Sequence, residues 1–448
     1  MPRSDPPADV DAPAGARAGR AAGRAAGRAA GRVVGRAAGR VVGRAAGMVA
    51  PLRAKDFRRY YVGHTASAFG DALTPLAIAF AVLHLTGSPV DLGIVVLSTR
   101  LPIIALTLVG GAAGDRFPRR TIMLAADLVR FATHGVTAVL LLTGAAQLWM
   151  LVALQLVAGA GTAFFNPAAV GLVTSLTAKE HLQAANSLLS ISRSTVSILA
   201  LGAAGALVAL VGPGWAIAVD ALTFLVSAAF LYRLPGRLAA ARQEGLLASI
   251  GGGLTAVRRR TWLWVWTGHI AVANAFVVSP ILVLGPYVAD LHLGGAPAWS
   301  AIGIAYAAGG LAGGVAATRW RPARPMVAAL LVFLLMAPLP ALLAVPAPVW
   351  QLTIAAVLAG GQVVVHNVMQ TTAVQRHLPD ELVARAYSVT LLGGLVAAPL
   401  GMALAGPAVT LLGTRLVLLG CAAITVVLTA GTLLVPAVWR LREPAEMA

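Results

Sequence analysis

The sequence predicts an all-α membrane protein of twelve transmembrane helices in two six-helix halves, and three observations carry that prediction. The first is composition. Of 448 residues, 58% are hydrophobic and only 11% charged, with a mean hydropathy of +0.83, whereas a soluble chain carries roughly a quarter charged residues. The second is spacing: from Lys55 onward, apolar runs recur between short polar breaks, each about 20 residues long, the length that crosses a bilayer as helix. The third is one long polar segment, Arg233 to Arg260, that divides these runs evenly.

Taken in order, residues 1–54 differ in kind from the rest. From Gly19 to Gly47 they repeat G-R-A-A or G-R-V-V, with Arg at 20, 24, 28, 32, 36, 40 and 44. Gly and Arg at every fourth position give poor helix propensity and no apolar face. The expectation is a disordered basic tail lying against anionic lipid. It lacks the apolar core of a secretory signal, and Met48 stands as an alternative start just before the first run. Spans follow at 60–84, 90–112, 121–143, 148–174, 183–210 and 214–232, making a first half over 55–232. After the loop at 233–260 come 262–288, 298–318, 325–345, 348–371, 383–411 and 414–438, a second half over 261–441, then a tail at 442–448.

The loops orient these spans. One set carries Arg116, Arg119 and Arg120; Lys179; Arg233, Arg237, Arg242 and Arg258 to Arg260; Arg319, Arg321 and Arg324; and Arg376. The opposite set, such as T-G-S-P at 86–89 and V-P-A-P at 345–348, has no Lys or Arg until Arg415. By the positive-inside rule both termini are expected to be cytoplasmic. The net charge of +18 therefore marks membrane orientation, and no nucleic-acid partner is expected. A single cysteine, Cys421, excludes an intrachain disulfide and gives no Cys-based metal site. Neither G-x-x-x-x-G-K-S/T nor H-E-x-x-H occurs, so no ATP hydrolysis, metallopeptidase chemistry or bound cofactor is expected. Gly309, Gly310, Gly313 and Gly314 form overlapping G-x-x-x-G spacings, with Gly393, Gly394 and Gly401 further on. These are helix-packing signals. Trp262, Trp264 and Trp266 beside Arg258 to Arg260 suit an interfacial belt.

Between the second and third runs, Gly111 to Arg120 reads G-A-A-G-D-R-F-P-R-R. Charge this dense cannot rest in lipid, so it forms an aqueous turn. Orientation alone would require neither the Asp nor the glycines. The pattern resembles the loop between helices two and three of the major facilitator superfamily. Further stretches narrow the likeness: S-A-F-G-D-A-L-T-P-L-A at 67–77, L-T-G-S-P at 85–89, T-R-L-P at 99–102, G-T-A-F-F-N-P-A at 161–168, K-E-H-L-Q-A-A-N-S-L at 179–188, D-A-L-T-F at 220–224, and Q-R-H-L-P-D-E at 375–381 with Arg385. Together they resemble the branch that holds the enterobactin exporter and the macrolide efflux proteins. The likeness runs from Lys55 to Leu441. Two positions depart from it: Gln155 stands where many members carry Arg four residues before a Gly, here Gly159, and Ala200-Leu201 where many proton-driven exporters have Gly-Pro.

The resemblance implies a secondary transporter working by alternating access, with its site between the halves. Export driven by the proton gradient is expected, with a moderately large amphipathic small molecule (a drug, siderophore or other secondary metabolite) as substrate and a monomer in the lipid bilayer. It also implies a cytoplasmic gate of Gly111, Asp115, Arg116, Arg119 and Arg120. Asp115 would accept from the exposed amides of helix eleven, starting near Asp380, and the arginines would pair with acids such as Asp127. Asp127 and Arg130, at i, i+3 spacing, join that gate.

Ionisable residues at membrane depth are candidates by default, since desolvation disfavours the charged form of a carboxylate. Asp71, in the middle of the first span, leads for proton coupling, with Arg100 or Arg193 as its partner. Asp220 is expected to be a packing or pairing residue. Gln155, His269, Asn274, Gln362, His366, Asn367 and Gln370 are candidates to line a substrate cavity, the last four (362, 366, 367 and 370) as a polar stripe on helix ten. Two other readings stand beside export: an importer or facilitator of a small neutral solute in the same fold, and a transport-dead scaffold or sensor.

Overall fold

The computed structural model describes residues 49–235, 260–320, 322–378 and 380–441, except for the side chains at 108, 112, 114, 115, 179, 380–389, 391, 392 and 395. The tail repeats at 19–47, most of the 233–260 loop, and the 442–448 tail lie outside the described residues. Regular structure is described already before the expected boundary at 55: Ala50–Arg53 form a 3-10 turn. Pro51 there is buried, and Leu52 packs on an apolar cluster.

Among the described residues twelve long helices follow: α1 (Lys55–Thr86), α2 (Pro89–Arg116), α3 (Arg119–Leu142), α4 (Leu148–Leu176), α5 (Leu182–Val211), α6 (Pro213–Tyr232), α7 (Thr261–Leu293), α8 (Ala296–Arg319), α9 (Pro325–Leu343), α10 (Val349–His377), α11 (Asp380–Leu412) and α12 (Thr414–Leu433). Among the described residues, eleven are long and apolar enough to cross a membrane, and the apolar described part of α11 is Val396–Leu412. Short turns separate them for local reasons. At 86–89, Gly87 ends α1 at a left-handed φ of 65°, Ser88 accepts the Asp91 amide at 3.2 Å, and Pro89 opens α2. Glycine suits the first position, serine the cap and proline the first turn. Within α7, Asn274–Val278 widen into a π-turn just before Pro280. A proline ring presses on the carbonyl four residues back and lacks an N–H, and the wider turn relieves both.

Packing repeats between the halves. α1 meets α5 and α6, α2 meets α4, and α3 meets α4 and α6; α7 meets α11 and α12, α8 meets α10, and α9 meets α10 and α12. The halves join through α2 with α11 and through α5 with α8. Glycines set the α8–α10 approach: a Cβ at Gly309 would collide with the Val357 carbonyl, and one at Gly360 with the Tyr306 carbonyl. Backbone contact this close is what G-x-x-x-G spacings allow.

The apolar cores show how the halves are tilted. One cluster crosses both halves at the end remote from the Gly111–Arg120 loop; it includes Phe80, Leu83 and Val208 together with Leu284, Val288 and Met402. At the loop end it divides. Phe57, Met123, Phe165 and Leu231 form a cluster within the first half, and Trp266, Met326, Met369 and Val374 another within the second. Close approaches between halves also fall at the remote end, which we call distal. His84 of α1 lies 3.4 Å from Asp290 of α7, and Ser300 of α8 donates to the Leu201 carbonyl of α5 at 2.5 Å. Among the described residues, the side-chain contacts between the halves gather at the distal end, and the loop-end clusters stay within each half.

A Cβ at Gly406 of α11 would strike the Val90 backbone of α2. A Gly406→Leu variant is therefore expected to oppose distal closure by about 1–3 kcal/mol of overpacking. Spin labels placed across the distal end should read a longer distance than in the parent protein.

Candidate functional site

Two cavities lie at mid-depth, one in each half. The first, of about 340 Å³, is lined by Asp71, Thr74, Thr99, Arg100, Arg130, His134, Gln155 and Arg193, with Leu282 and Met402 from the second half. All three proton-coupling candidates thus share one chamber. The pairing within it differs from the expectation: the ion pair to Asp71 comes from neither Arg100 nor Arg193. Arg130 Nη1 donates to Asp71 Oδ2 at 3.4 Å, and its Nη2 donates to Asp127 Oδ1. The Arg130 guanidinium lies between the Phe165 and Phe224 rings, 4.2 and 4.3 Å from their centroids. Two ring faces stabilise a desolvated cation that water cannot reach.

Asp127 and Arg130 were expected in the loop-end gate together with Arg119 and Arg120. They are instead buried, at 0% and 1% exposure. Asp127 lies eight residues into α3, about 12 Å along the axis from Arg119 at 1.5 Å per residue, too deep for the loop arginines. Those arginines find carbonyls instead. Arg119 donates to Gly171 O at 2.5 Å; Arg120 donates to Leu231 O at 3.0 Å and Tyr232 O at 2.5 Å. Cations near helix C-termini complement the exposed carbonyls there. Arg116 is exposed. A Cβ at Gly111 would meet nothing within 4 Å, whereas one at Gly110 would press on the Ala163 carbonyl of α4. Close packing of α2 on α4 needs the glycine at 110. The Asp115 side chain, and those of 380–389 that it was expected to approach, lie outside the described residues.

Behind this triad sits a second pair. Asp220 accepts from His134 Nδ1 at 2.6 Å and from the Thr74 hydroxyl. A carboxylate only accepts, so His134 Nδ1 carries a proton. His134 and Thr74 escaped the sequence reading. Positions 127, 130 and 134 fall at i, i+3 and i+7 on one face of α3, and that spacing could have found the histidine. Gln155 lines the same chamber while tying α4 to α2: its carbonyl accepts from the Thr99 hydroxyl at 2.9 Å.

The second cavity, of about 470 Å³, is lined wholly by the second half and gathers His269, Asn274, Gln362, His366, Asn367 and Gln370. The six second-half cavity candidates therefore share one wall system. Asn274 sits in the π-turn and donates to Ile270 O at 3.0 Å. His269 Nδ1 lies 3.1 Å from the Thr432 hydroxyl. Trp266, expected in an interfacial belt with Trp262 and Trp264, is fully buried; Trp262 is nearly so, and Trp264 is exposed. Trp266 stacks on His366 at 4.6 Å and on His269 at 5.7 Å between centroids. Periodicity explains the exchange: 262, 266 and 269 share the inward face of α7, and 264 faces away. Among the described residues, no group of three or more His, Cys, Asp or Glu is placed to hold a metal.

Comparison with known proteins sets this geometry in context. Residues 60–402 match the family model described as Major Facilitator Superfamily. The multidrug efflux pump Tap of Mycolicibacterium fortuitum is 30% identical over 373 residues, covering 77% of this chain and 86% of that protein. Macrolide efflux protein A of Streptococcus pyogenes is 25% identical, covering 58% of this chain and 65% of that protein. YfiS of Bacillus subtilis, an uncharacterized MFS-type transporter, is 33% identical over 38% of this chain and 40% of its own length. Among solved structures, the nucleoside transporter NupG superposes with a TM-score of 0.69 at 12% identity, covering 86% of this chain and 99% of that one. A bacterial homologue of the iron transporter ferroportin in an inward-facing state gives 0.66 at 16% identity, covering 84% and 98%.

Proposed function

The chain belongs to the major facilitator superfamily of membrane transporters, and on that premise we propose that it exports amphipathic small molecules in exchange for protons. Export is supported by the efflux relatives, one of them matched over 86% of its length. With both termini cytoplasmic, as the loop charges favour, the loop end, remote from the distal contacts between the halves, is the side from which internal substrate would enter the chambers.

One observation carries the coupling role. Of the three carboxylates in the first-half network, Asp127 and Asp220 are wholly buried, whereas the Asp71 side chain is 48% exposed to the chamber. Asp71 can exchange a proton with the chamber while the buried Arg130–Asp127 contact stays whole. A proton on its carboxylate cancels the attraction to Arg130, and Arg130 stays with Asp127. Loss of that proton re-forms the Asp71–Arg130 link. The proton thus controls whether α1 is tied to α3 through Arg130, and α1 also packs against α7 of the other half. Alternating access then moves the halves about their shared distal core, with the loop-end arginines completing the gate when that end closes. The basic tail, in this reading, holds anionic lipid at the cytoplasmic face.

The test is efflux of an amphipathic dye from energised cells expressing the full chain, with and without a protonophore. Efflux is expected to collapse with the gradient. Protonophore-resistant efflux would remove the proton coupling, and accumulation of label instead of depletion would reverse the direction.

A further inference from the structure

The two chambers differ in chemistry, and the second-half chamber has a polarity that the transport reading leaves unused. None of its described lining residues is Asp, Glu, Lys or Arg. Its two histidines turn Nδ1 to a protein partner, and His269 Nε2 is buried without one among the described residues. The Thr432 hydroxyl gives its hydrogen to the Leu428 carbonyl at 2.8 Å, so it can only accept from His269 Nδ1 at 3.1 Å. His269 Nδ1 therefore carries the proton. In the neutral ring Nε2 is then a bare acceptor, and it has no partner although His269 is only 2% exposed. His366 follows the same logic: its Nδ1 faces the Ala329 carbonyl at 3.4 Å, which again assigns the proton to Nδ1 and the lone pair to Nε2. One turn before His366 on α10, Gln362 is also 2% exposed, and its Oε1 has no partner. A buried acceptor without a donor is costly, so a ligand hydroxyl that reached His269 Nε2 or Gln362 Oε1 would satisfy it; the Trp266 indole N–H beside them is likewise without a partner among the described residues.

Aromatic faces supply the rest. Trp266, His366 and His269 stack in succession, and Phe333 meets His269 edge-on with centroids 4.8 Å apart. The two imidazole planes are only 23° apart at 5.9 Å. Lone pairs lying in near-parallel planes do not converge on one ion, which argues against a metal. The absence of acids among the described lining argues against an organic cation, for which Asp71 in the other chamber is the better partner.

We propose that the second-half chamber is a subsite for a neutral, hydroxyl-bearing ring, whose O–H groups donate to His269 Nε2, His366 Nε2 and Gln362 Oε1. This rests on the transport reading above and names the substrate class it takes. The volume of about 470 Å³ falls within the range of small-molecule pockets, roughly 300–1,000 Å³.

The test is equilibrium binding to the purified full-length protein without a proton gradient, with 4-nitrophenyl β-glucoside as probe and quenching of intrinsic tryptophan fluorescence as readout. Saturable quenching is expected, with most of it lost in Trp266→Phe, which keeps an aromatic ring in the stack. His269→Phe and Gln362→Leu should each raise the half-saturating concentration by about tenfold, the effect of losing one hydrogen bond in a buried site. His269→Gln, which returns an acceptor, should recover part of it, separating ligand recognition from misfolding. The per-O-methylated probe should not bind. Equal binding of the methylated probe, unchanged binding in both acceptor variants, or zinc binding lost in His269→Phe would each overturn the subsite. Failure of dye efflux alone would overturn the transport reading and leave this binding result standing.

Discussion

Replacing Arg130 by Met is expected to destabilise the first half by about 3–5 kcal/mol, the cost of leaving a buried charge without its partner. Asp127, 0% exposed, would lose the Arg130 guanidinium that donates to its Oδ1, and two ring faces would lose their cation. The unfolding midpoint in detergent should drop sharply and the yield of monodisperse protein with it. Asp127→Asn placed on top should restore part of the loss, because the orphaned charge is then gone, with a coupling between the two sites of about 0.5–3 kcal/mol. An Arg130→Met protein that unfolds at the parent temperature would refute the buried triad. Recovery by the second substitution is the more discriminating half of the cycle, since loss of packing alone would not be reversed by it.

The second large effect falls on activity instead of stability. Asp71→Asn is expected to abolish uphill, protonophore-sensitive efflux while leaving substrate exchange between the two sides. The neutral amide resembles the protonated carboxylate, so the halves can still rock with substrate bound but no proton is carried. Stability should change by no more than about 1 kcal/mol, as for other half-exposed ion pairs, because Asp71 is 48% exposed and its Arg130 contact is 3.4 Å long. Equal uphill efflux in the variant and the parent would move the coupling role elsewhere in the network, with His134–Asp220 next in line.

These two residues show where sequence reasoning reaches and where it stops. Asp71 stands out in the chain because a carboxylate in the middle of a 32-residue helix is expensive unless it works. Its partner does not stand out. Asp127 and Arg130 sit eight and eleven residues into α3, and i, i+3 spacing says only that they share a face. Turned outward to the loop they would be gate residues; turned inward they hold Asp71. The turn of α3 is set by its packing against α4 and α6, contacts between residues far apart in the chain. His134 illustrates the same limit. Its spacing places it on the face of Asp127 and Arg130, but its partner shows only when Asp220, 86 residues away, is seen 2.6 Å from it. The tryptophans at 262, 264 and 266 invert the case: Trp264 is exposed and Trp266 is buried behind the chamber's histidines, a division made by the facing of α7.

The chain by itself determined the membrane class, the twelve spans, their division into two halves and their orientation bias. Each follows from local hydropathy and from which loops carry arginine, and burial of apolar length in lipid needs no knowledge of the neighbouring helix. It also determined which residue types lie at depth. Only the tertiary structure decided which of those residues meet, that the described side-chain contacts between the halves gather distally, and that one chamber is lined by charged side chains while the described lining of the other has none. A helix presents every face in its sequence, but the faces that matter here are selected by contacts across the bundle, where a rotation of one residue step redirects each side chain by about 100°.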